Sequence, residues 1–273
     1  MTFCLRTLFI AASAALLAVA PVWAQMKDNQ ERTLTCDQHN WGDRRLANHC
    51  EMQEQTLAAP SGGMQIDPGA NGGVTIKGWS RNDVLVRARI ETAAPSDSEA
   101  RSLVPQVRVA SGSGHIKAEG PKGDHDHYWS VSYEVFVPHQ TDLVTHANNG
   151  GVRIQDIKGK VEFHAVNGGV HLSRVGGDVS GSTTNGGLTI ELAGDRWDGK
   201  GMDVSAVNGG VKLAIPASYS ARVEASTVNG NISVDFPVTV QGKIGNDLAF
   251  NLGSGGATIR AVTTNGGVKV TKI

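Results

Sequence analysis

The sequence predicts an all-β chain: a β-solenoid, or β-helix-like stack, of short strands joined by Asn-Gly-Gly turns. Three observations lead there. Asn-Gly-Gly or a close variant recurs, headed by Asn71, Asn149, Asn167, Asn185, Asn208, Asn229 and Asn265. From Asn149 the steps are 18, 18, 23, 21 and 36 residues, and a period of about 20 marks a repeat architecture. Between the turns, apolar and polar side chains alternate with the period-two rhythm of strands buried on one face. Glycine is abundant, at 34 residues, without the three-residue period of collagen, as expected where many short strands meet at tight turns.

At the N-terminus, Arg6 precedes an apolar run from Leu8 to Ala20, a breaker at Pro21, and the small residues Val22 and Ala24 around Trp23. This layout is expected to be a secretory signal peptide over residues 1–24, cleaved before Gln25. A retained membrane span would need roughly 18 or more apolar residues, and the polar stretch from Gln25 to Arg32 intervenes first. Cys4 lies inside the signal and no cysteine stands at the cleavage site in the manner of a lipid-modified protein, so no acylation is expected. The protein is expected to be exported, either periplasmic or at the cell surface.

Residues 25–56 form a polar N-terminal segment containing Cys36 and Cys50, which in an oxidising compartment are expected to pair as a structural disulfide. The competing reading is a two-cysteine metal site helped by His39 and His49. This segment reads as poorly ordered, or as a disulfide-pinned cap over the first open edge of the stack.

Residues 57–273 form the β-strand-repeat domain. Its first part is irregular, with strands around Met64 and Ile66, Val74 and Ile76, and Val84 to Ile90. The stretch from Pro95 to Val104 is the one helix candidate, with Ser96 as N-cap and Glu99 three residues on. Strands at Val107 and Val109, at His115 to Ala118 and at Trp129 to Val137 follow.

Each regular unit then holds one strand before and one after its Asn-Gly-Gly turn. A second, glycine-containing turn such as Lys158-Gly159-Lys160 or Gly176-Gly177-Asp178 lies at the far end. Glycine would supply the positive φ of these turns, and Asn tolerates it best among the other residues. In a solenoid the Asn heads would stack at about the inter-strand spacing of 4.8 Å and hydrogen-bond as a ladder. If each Asn-Gly closed a hairpin instead, the chain would be an antiparallel meander or sandwich, but hairpin loops would not demand the same three-residue turn in every unit. The 36-residue step reads as two periods with one Asn-Gly lost near Gly245-Asn246. The final strand, Val268 to Ile273, is expected to be an uncapped edge open to self-association.

Together, the Cys36–Cys50 segment followed by Glu51, Ile76-Lys77-Gly78-Trp79 leading to Val84-Leu85-Val86, Val137-Pro138, and the Asn-Gly-Gly series carry a family resemblance. The chain resembles the bacterial β-strand-repeat domains of unknown function that bear an adhesin label, from about residue 57 onward. The resemblance implies a cell-envelope or extracellular β-solenoid-like domain and no family catalytic residues. Unlike an anchored adhesin, this sequence shows no sorting signal.

Chemistry-bearing clusters are sparse. Asp124, His125, Asp126 and His127 alternate carboxylate and imidazole and could bind a transition metal, but in a strand the histidines would share one face and the aspartates the other. His164 and His171 lie on the wet phase of strands flanking the Asn167 turn and could approach one another across it. Solenoid glycosidases hold an acid and a base about 5 to 9.5 Å apart, whereas Glu162, Glu191, Glu224 and Asp235 are scattered among Lys160, Lys212 and Arg222 as a mixed face. No nucleophile elbow, phosphate loop or nucleotide fingerprint is found. Trp79, Trp129 and Trp197 could stack on sugars, but their strand-end positions favour packing over open solenoid ends.

A net charge of −1 argues against nucleic-acid binding. The reading is therefore a non-enzymatic exported scaffold that binds an envelope protein, a glycan or itself, with no catalytic residues, cofactor or metal. The alternatives are a solenoid polysaccharide-active enzyme and a metal-binding periplasmic protein.

Overall fold

The computed structural model describes residues 30–37, 45–237 and 245–273. The expected signal peptide and His39 lie outside the described residues. In chain order the first elements are β1 (Ala47–Ala58), β2 (Met64–Asp67), β3 (Val74–Trp79), β4 (Asp83–Ala94), α1 (Asp97–Leu103), β5 (Arg108–Gly112), β6 (His115–Glu119) and β7 (Tyr128–Pro138). Next come β8 (Leu143–Asn149), β9 (Val152–Gln155), β10 (Lys158–Asn167), β11 (Val170–Ser173), β12 (Gly176–Asn185), β13 (Leu188–Glu191), β14 (Gly199–Asn208) and β15 (Val211–Ile215). The last are β16 (Ala221–Asn229), β17 (Ile232–Val234), β18 (Asp247–Leu252), β19 (Thr258–Asn265) and β20 (Val268–Lys272).

Two ten-stranded sheets face one another. Sheet A runs β1-β4-β7-β3-β9-β11-β13-β15-β20-β17, and sheet B runs β18-β16-β19-β14-β12-β10-β8-β2-β6-β5. Each regular coil lays one strand in sheet B, turns at its Asn-Gly-Gly corner, and lays the next in sheet A. Successive coils pair in parallel and in register, for example His164↔Ser182 in sheet B and His171↔Thr189 in sheet A. The chain is thus an all-β, β-solenoid-like stack rather than a hairpin meander; antiparallel pairs occur only toward its ends, in β1/β4, β4/β7, β5/β6 and β16/β18.

The alternating apolar phase fills the space between the sheets, with Ile154, Leu172, Ile190 and Leu213 from sheet A opposing Val161, Phe163 and Val204 from sheet B, all fully buried. Packing here sets residue identity closely. A Cβ on Gly181 would sit 2.6 Å from the Phe163 ring, so that glycine makes the room the ring occupies. Buried Thr183, Thr227 and Thr263 satisfy their hydroxyls by donating to the carbonyls of Gly168, Gly266 and Gly209.

The reason for the first glycine of the repeat differs from the expectation. Positive φ occurs there only at Gly72 and Gly266. At Gly150, Gly168, Gly186 and Gly209 the constraint is space, because a Cβ would lie 2.1 to 2.2 Å from the neighbouring coil's glycine carbonyl oxygen. At the second corner Gly159 (φ 158°) and Gly177 (φ 101°) do take positive φ as expected, at the start of the strands that follow, and left-handed backbone falls in addition on Asp156 (φ 58°) and Arg174 (φ 52°). The Arg174 guanidinium forks onto buried Asp156 at 2.6 and 2.7 Å, tying two successive corners together.

The 36-residue step does not hold a lost coil. Its extra length is β18, which pairs antiparallel with β16 as the outer edge of sheet B. The β19/β20 coil then inserts between β14/β15 and β16/β17. The last strand is therefore paired on both sides, by β15 and β17, and is not an open edge. A matching insertion occurs at the other end, where β2/β3 lies between β6/β7 and β8/β9.

The helix starts as expected, with Ser96 Oγ accepting from the Glu99 amide. Strand β1 pairs with β4 along its whole length, so ordered sheet begins at Ala47, ten residues before residue 57. The polar segment covers the stack end by contributing an edge strand as well as a strap.

Candidate functional site

The Asn corner forms a continuous ladder. Nδ2 of Asn149, Asn167, Asn185, Asn208, Asn265 and Asn229 donates to Oδ1 of Asn71, Asn149, Asn167, Asn185, Asn208 and Asn265 respectively, at 2.8 to 3.1 Å. All six bonds run in one direction, so the amide dipoles align and each polarises the next. The ladder follows the spatial order of the coils, with Asn265 seated between Asn208 and Asn229.

On the outer face of sheet B, charges are largely matched. Lys200 meets Asp178 at 3.2 Å, Arg260 meets Asp203 at 2.8 Å, and Arg222 meets Glu224 at 2.8 Å. His164 stacks on His146 with ring centroids 5.4 Å apart and hydrogen-bonds Ser182.

The outer face of sheet A is organised differently. Arg153, His171, Thr189, Lys212 and Lys269 lie side by side on successive strands in register. Arg153, Lys212 and Lys269 are exposed and enter no ion pair among the described residues. Burial lowers the pKa of His171, the adjacent Arg153 lowers it further, and Glu191 opposes them. A groove of about 440 Å³ runs along this face, floored by Gly73, Gly151, Gly169 and Gly187 and lined by Thr75, Arg89, Ser132, Arg153, His171 and Leu34.

Leu34 belongs to the N-terminal strap, which closes one end of this face over a buried ionic cluster. Glu134, 1% exposed, accepts from the amide and hydroxyl of Thr33, and from Lys77 at 2.8 Å, and it pairs with Arg87. Burial alone would raise the Glu134 pKa, but Lys77 and the Thr33 donors outweigh it and hold the pKa down at about 2. Arg89 donates to the Thr35 carbonyl, and the Cys36–Cys50 disulfide fastens the strap to β1. The disulfide bonds both sulfurs to each other and so removes the two-cysteine metal reading.

The remaining sequence candidates do not converge. Asp124 to His127 form a tight turn in which Asp124 accepts from the Asp126 and His127 amides and from the His127 ring, raising the His127 pKa. No metal-binding group of three or more His, Cys, Asp or Glu occurs among the described residues. His164 and His171 point from opposite sheets and do not meet. Glu162 and Glu224 lie on sheet B, Glu191 on sheet A, and Asp235 just beyond β17. Trp79 and Trp197 are buried, with indole N–H groups bonded to Asp83 and Gly177 carbonyls, and half-buried Trp129 bonds Pro121. Trp197 sits mid-stack in the longer corner between β13 and β14, not over an open end.

The cations of sheet A were hidden in the sequence within an apparently mixed face. They emerge when the repeats are aligned on Asn, because the fourth residue after each head is Thr75, Arg153, His171, Thr189, Lys212, Ser233 or Lys269, and never a carboxylate.

The fold defines a two-sheet β-solenoid-like protein. The chain belongs to the Toastrack DUF4097 family, whose model matches residues 32–271. No curated protein matches it. Among solved structures it is similar to a "putative cell adhesion protein" from Clostridium sporogenes, at 9% identity and a TM-score of 0.42, covering 82% of this chain and 100% of that one. It is also similar to a "putative adhesin" from Parabacteroides distasonis, at 10% identity and a TM-score of 0.38, covering 82% and 97%. A third, a "putative lipid binding protein" from the same organism, matches at 9% identity with a TM-score of 0.32, covering 81% and 96%. No helix among the described residues is long and apolar enough to cross a membrane.

Proposed function

We propose that this protein is exported, to the periplasm or cell surface, and acts there as a non-enzymatic scaffold that holds an envelope protein or glycan against its strand faces. The observation that carries this reading is the long in-register outer face of sheet A, where Arg153 lines a groove that ends at Thr189 and Lys212 and Lys269 continue the row beyond it. The disulfide suits an oxidising compartment, and the separated carboxylates give no acid and base pair to a glycosidase.

The test places photo-crosslinking residues at Thr189 on sheet A and Ser180 on sheet B of the full protein in native envelopes. A specific envelope component captured from Thr189 supports the scaffold. Recovery of only further copies of the protein replaces it with self-assembly, and turnover of an envelope polysaccharide by the purified protein overturns it.

A further inference from the structure

The basic row of sheet A carries a cost that points to its ligand. Lys212 and Lys269 face one another in register on adjacent strands, and like charges directly opposite destabilise a sheet. Arg153 lies three strands away, about 14 Å at the usual strand spacing. On sheet B the corresponding repulsions are relieved by carboxylates on the same or the next strand, as at Arg260 and Asp203. On sheet A the nearest carboxylates along this stretch are Glu191, on the strand next to Lys212, and Asp235, on the chain next to Lys269; each lies one row aside and neither forms an ion pair with the row among the described residues. Anions from outside would supply what the chain omits, and their charges would need to recur along the stack axis.

The geometry points to a linear acidic polysaccharide lying along the stack axis, its anionic groups on Arg153, Lys212 and Lys269 and its hydroxyls toward Thr75 and Thr189. The inference rests on the scaffold reading and names its ligand class. The groove floor is glycine, which lets an extended chain approach the backbone closely. Other polyanions suit it less well. The tryptophans that could stack bases are buried or engaged with their own backbone. Among the described residues the exposed large apolar side chains are Val166, Val207 and Val228 at the ends of sheet B strands, Tyr128 at the start of β7 and Ile273 after β20, so the basic row itself carries none to insert into a lipid surface.

The experiment measures binding of the full protein to sodium alginate by calorimetry, with dextran as the neutral chain and duplex DNA and phosphatidylserine vesicles as the other anions. The expected result is binding to alginate that weakens with salt, with dextran inert. The triple variant Arg153→Ala, Lys212→Ala, Lys269→Ala should bind roughly tenfold or more weakly, while Arg222→Ala, Arg260→Ala on sheet B should match the parent. Thermal melts establish that both variants fold, and Thr189→Glu gives a single-site check by placing a carboxylate mid-row. Equal binding by the triple variant, or tighter binding of DNA or vesicles than of alginate, overturns the inference. If crosslinking at Thr189 still captures an envelope partner with the triple variant, the polysaccharide inference fails and the scaffold reading stands; capture by neither protein removes both.

Discussion

Glu134→Gln should be strongly destabilising although it is isosteric. The carboxylate is 1% exposed and faces Lys77 and Arg87, whose side chains are 6% and 10% exposed. The amide would leave Lys77 buried without its counter-charge and Arg87 with only the part-exposed Glu54, and breaking one partner of such a pair costs about 3 to 5 kcal/mol. The same group gives an independent estimate through its titration. Its pKa falls from 4.5 to about 2 on folding, a difference worth about 3 kcal/mol. Because the folded value is the lower one, this stabilisation is fully present above the ordinary value and is lost as pH falls from about 4.5 toward 2. Urea unfolding of parent and variant at neutral pH and at pH 3 reads both effects: the variant midpoint should drop sharply at neutral pH, and the gap between the two proteins should narrow in acid. Equal midpoints at neutral pH, or a gap that widens in acid, would refute the assignment of Glu134 as the anion that holds Lys77 of β3 and Arg87 of β4 beneath the strap.

Four further outcomes follow from the same geometry. Gly168→Ala puts a Cβ 2.1 Å from the Gly150 carbonyl and should cost about 3 kcal/mol or more in urea unfolding, whereas Gly112→Ala, with nothing within 4 Å, should be near neutral. Gly181→Ala puts a Cβ 2.4 Å from the Phe163 carbonyl oxygen and 2.6 Å from its ring; it should be strongly destabilising alone and only slightly relieved by Phe163→Leu, which leaves the carbonyl in place, as a double-mutant thermal melt would read. Asn185→Ala removes two rungs of the ladder at mid-stack and should cost about 1 to 3 kcal/mol, against less for Asn71→Ala at its end. Reducing the Cys36–Cys50 bond, 14 residues apart in sequence, should lower stability by about 3 kcal/mol and expose the strap to protease before the sheets unfold.

Much of the fold was legible because the repeat writes its own register. Asn heads 18 residues apart specify parallel coils, and period-two alternation tells which side chains enter the core, as Phe163 and Leu172 do. The Ser96 cap was equally plain, since capping depends on neighbours in sequence. Sequence separation hides what the rest depends on. The insertion of β19/β20 beside β14/β15 is a pairing across 57 residues, and nothing local distinguishes it from simple succession. Glu134 gave no signal because its partners come from the strap, β3 and β4. The cationic row was readable only after alignment on Asn, since in linear order its members alternate with side chains that face the core.

The order of the coils also governs how the protein can be made. A stack laid down in sequence could add each coil to the last as it leaves the ribosome. Here β14/β15 and β16/β17 flank a slot one coil wide that only residues 258–272 can fill. Synthesis must therefore leave the slot open, with two facing rows of unpaired backbone groups held apart, or allow a premature pairing that is later undone. A truncation at residue 257 removes a rung from the middle of the stack rather than a coil from its end. Export before folding would suit such a chain, since its final coil is then present when the stack first assembles.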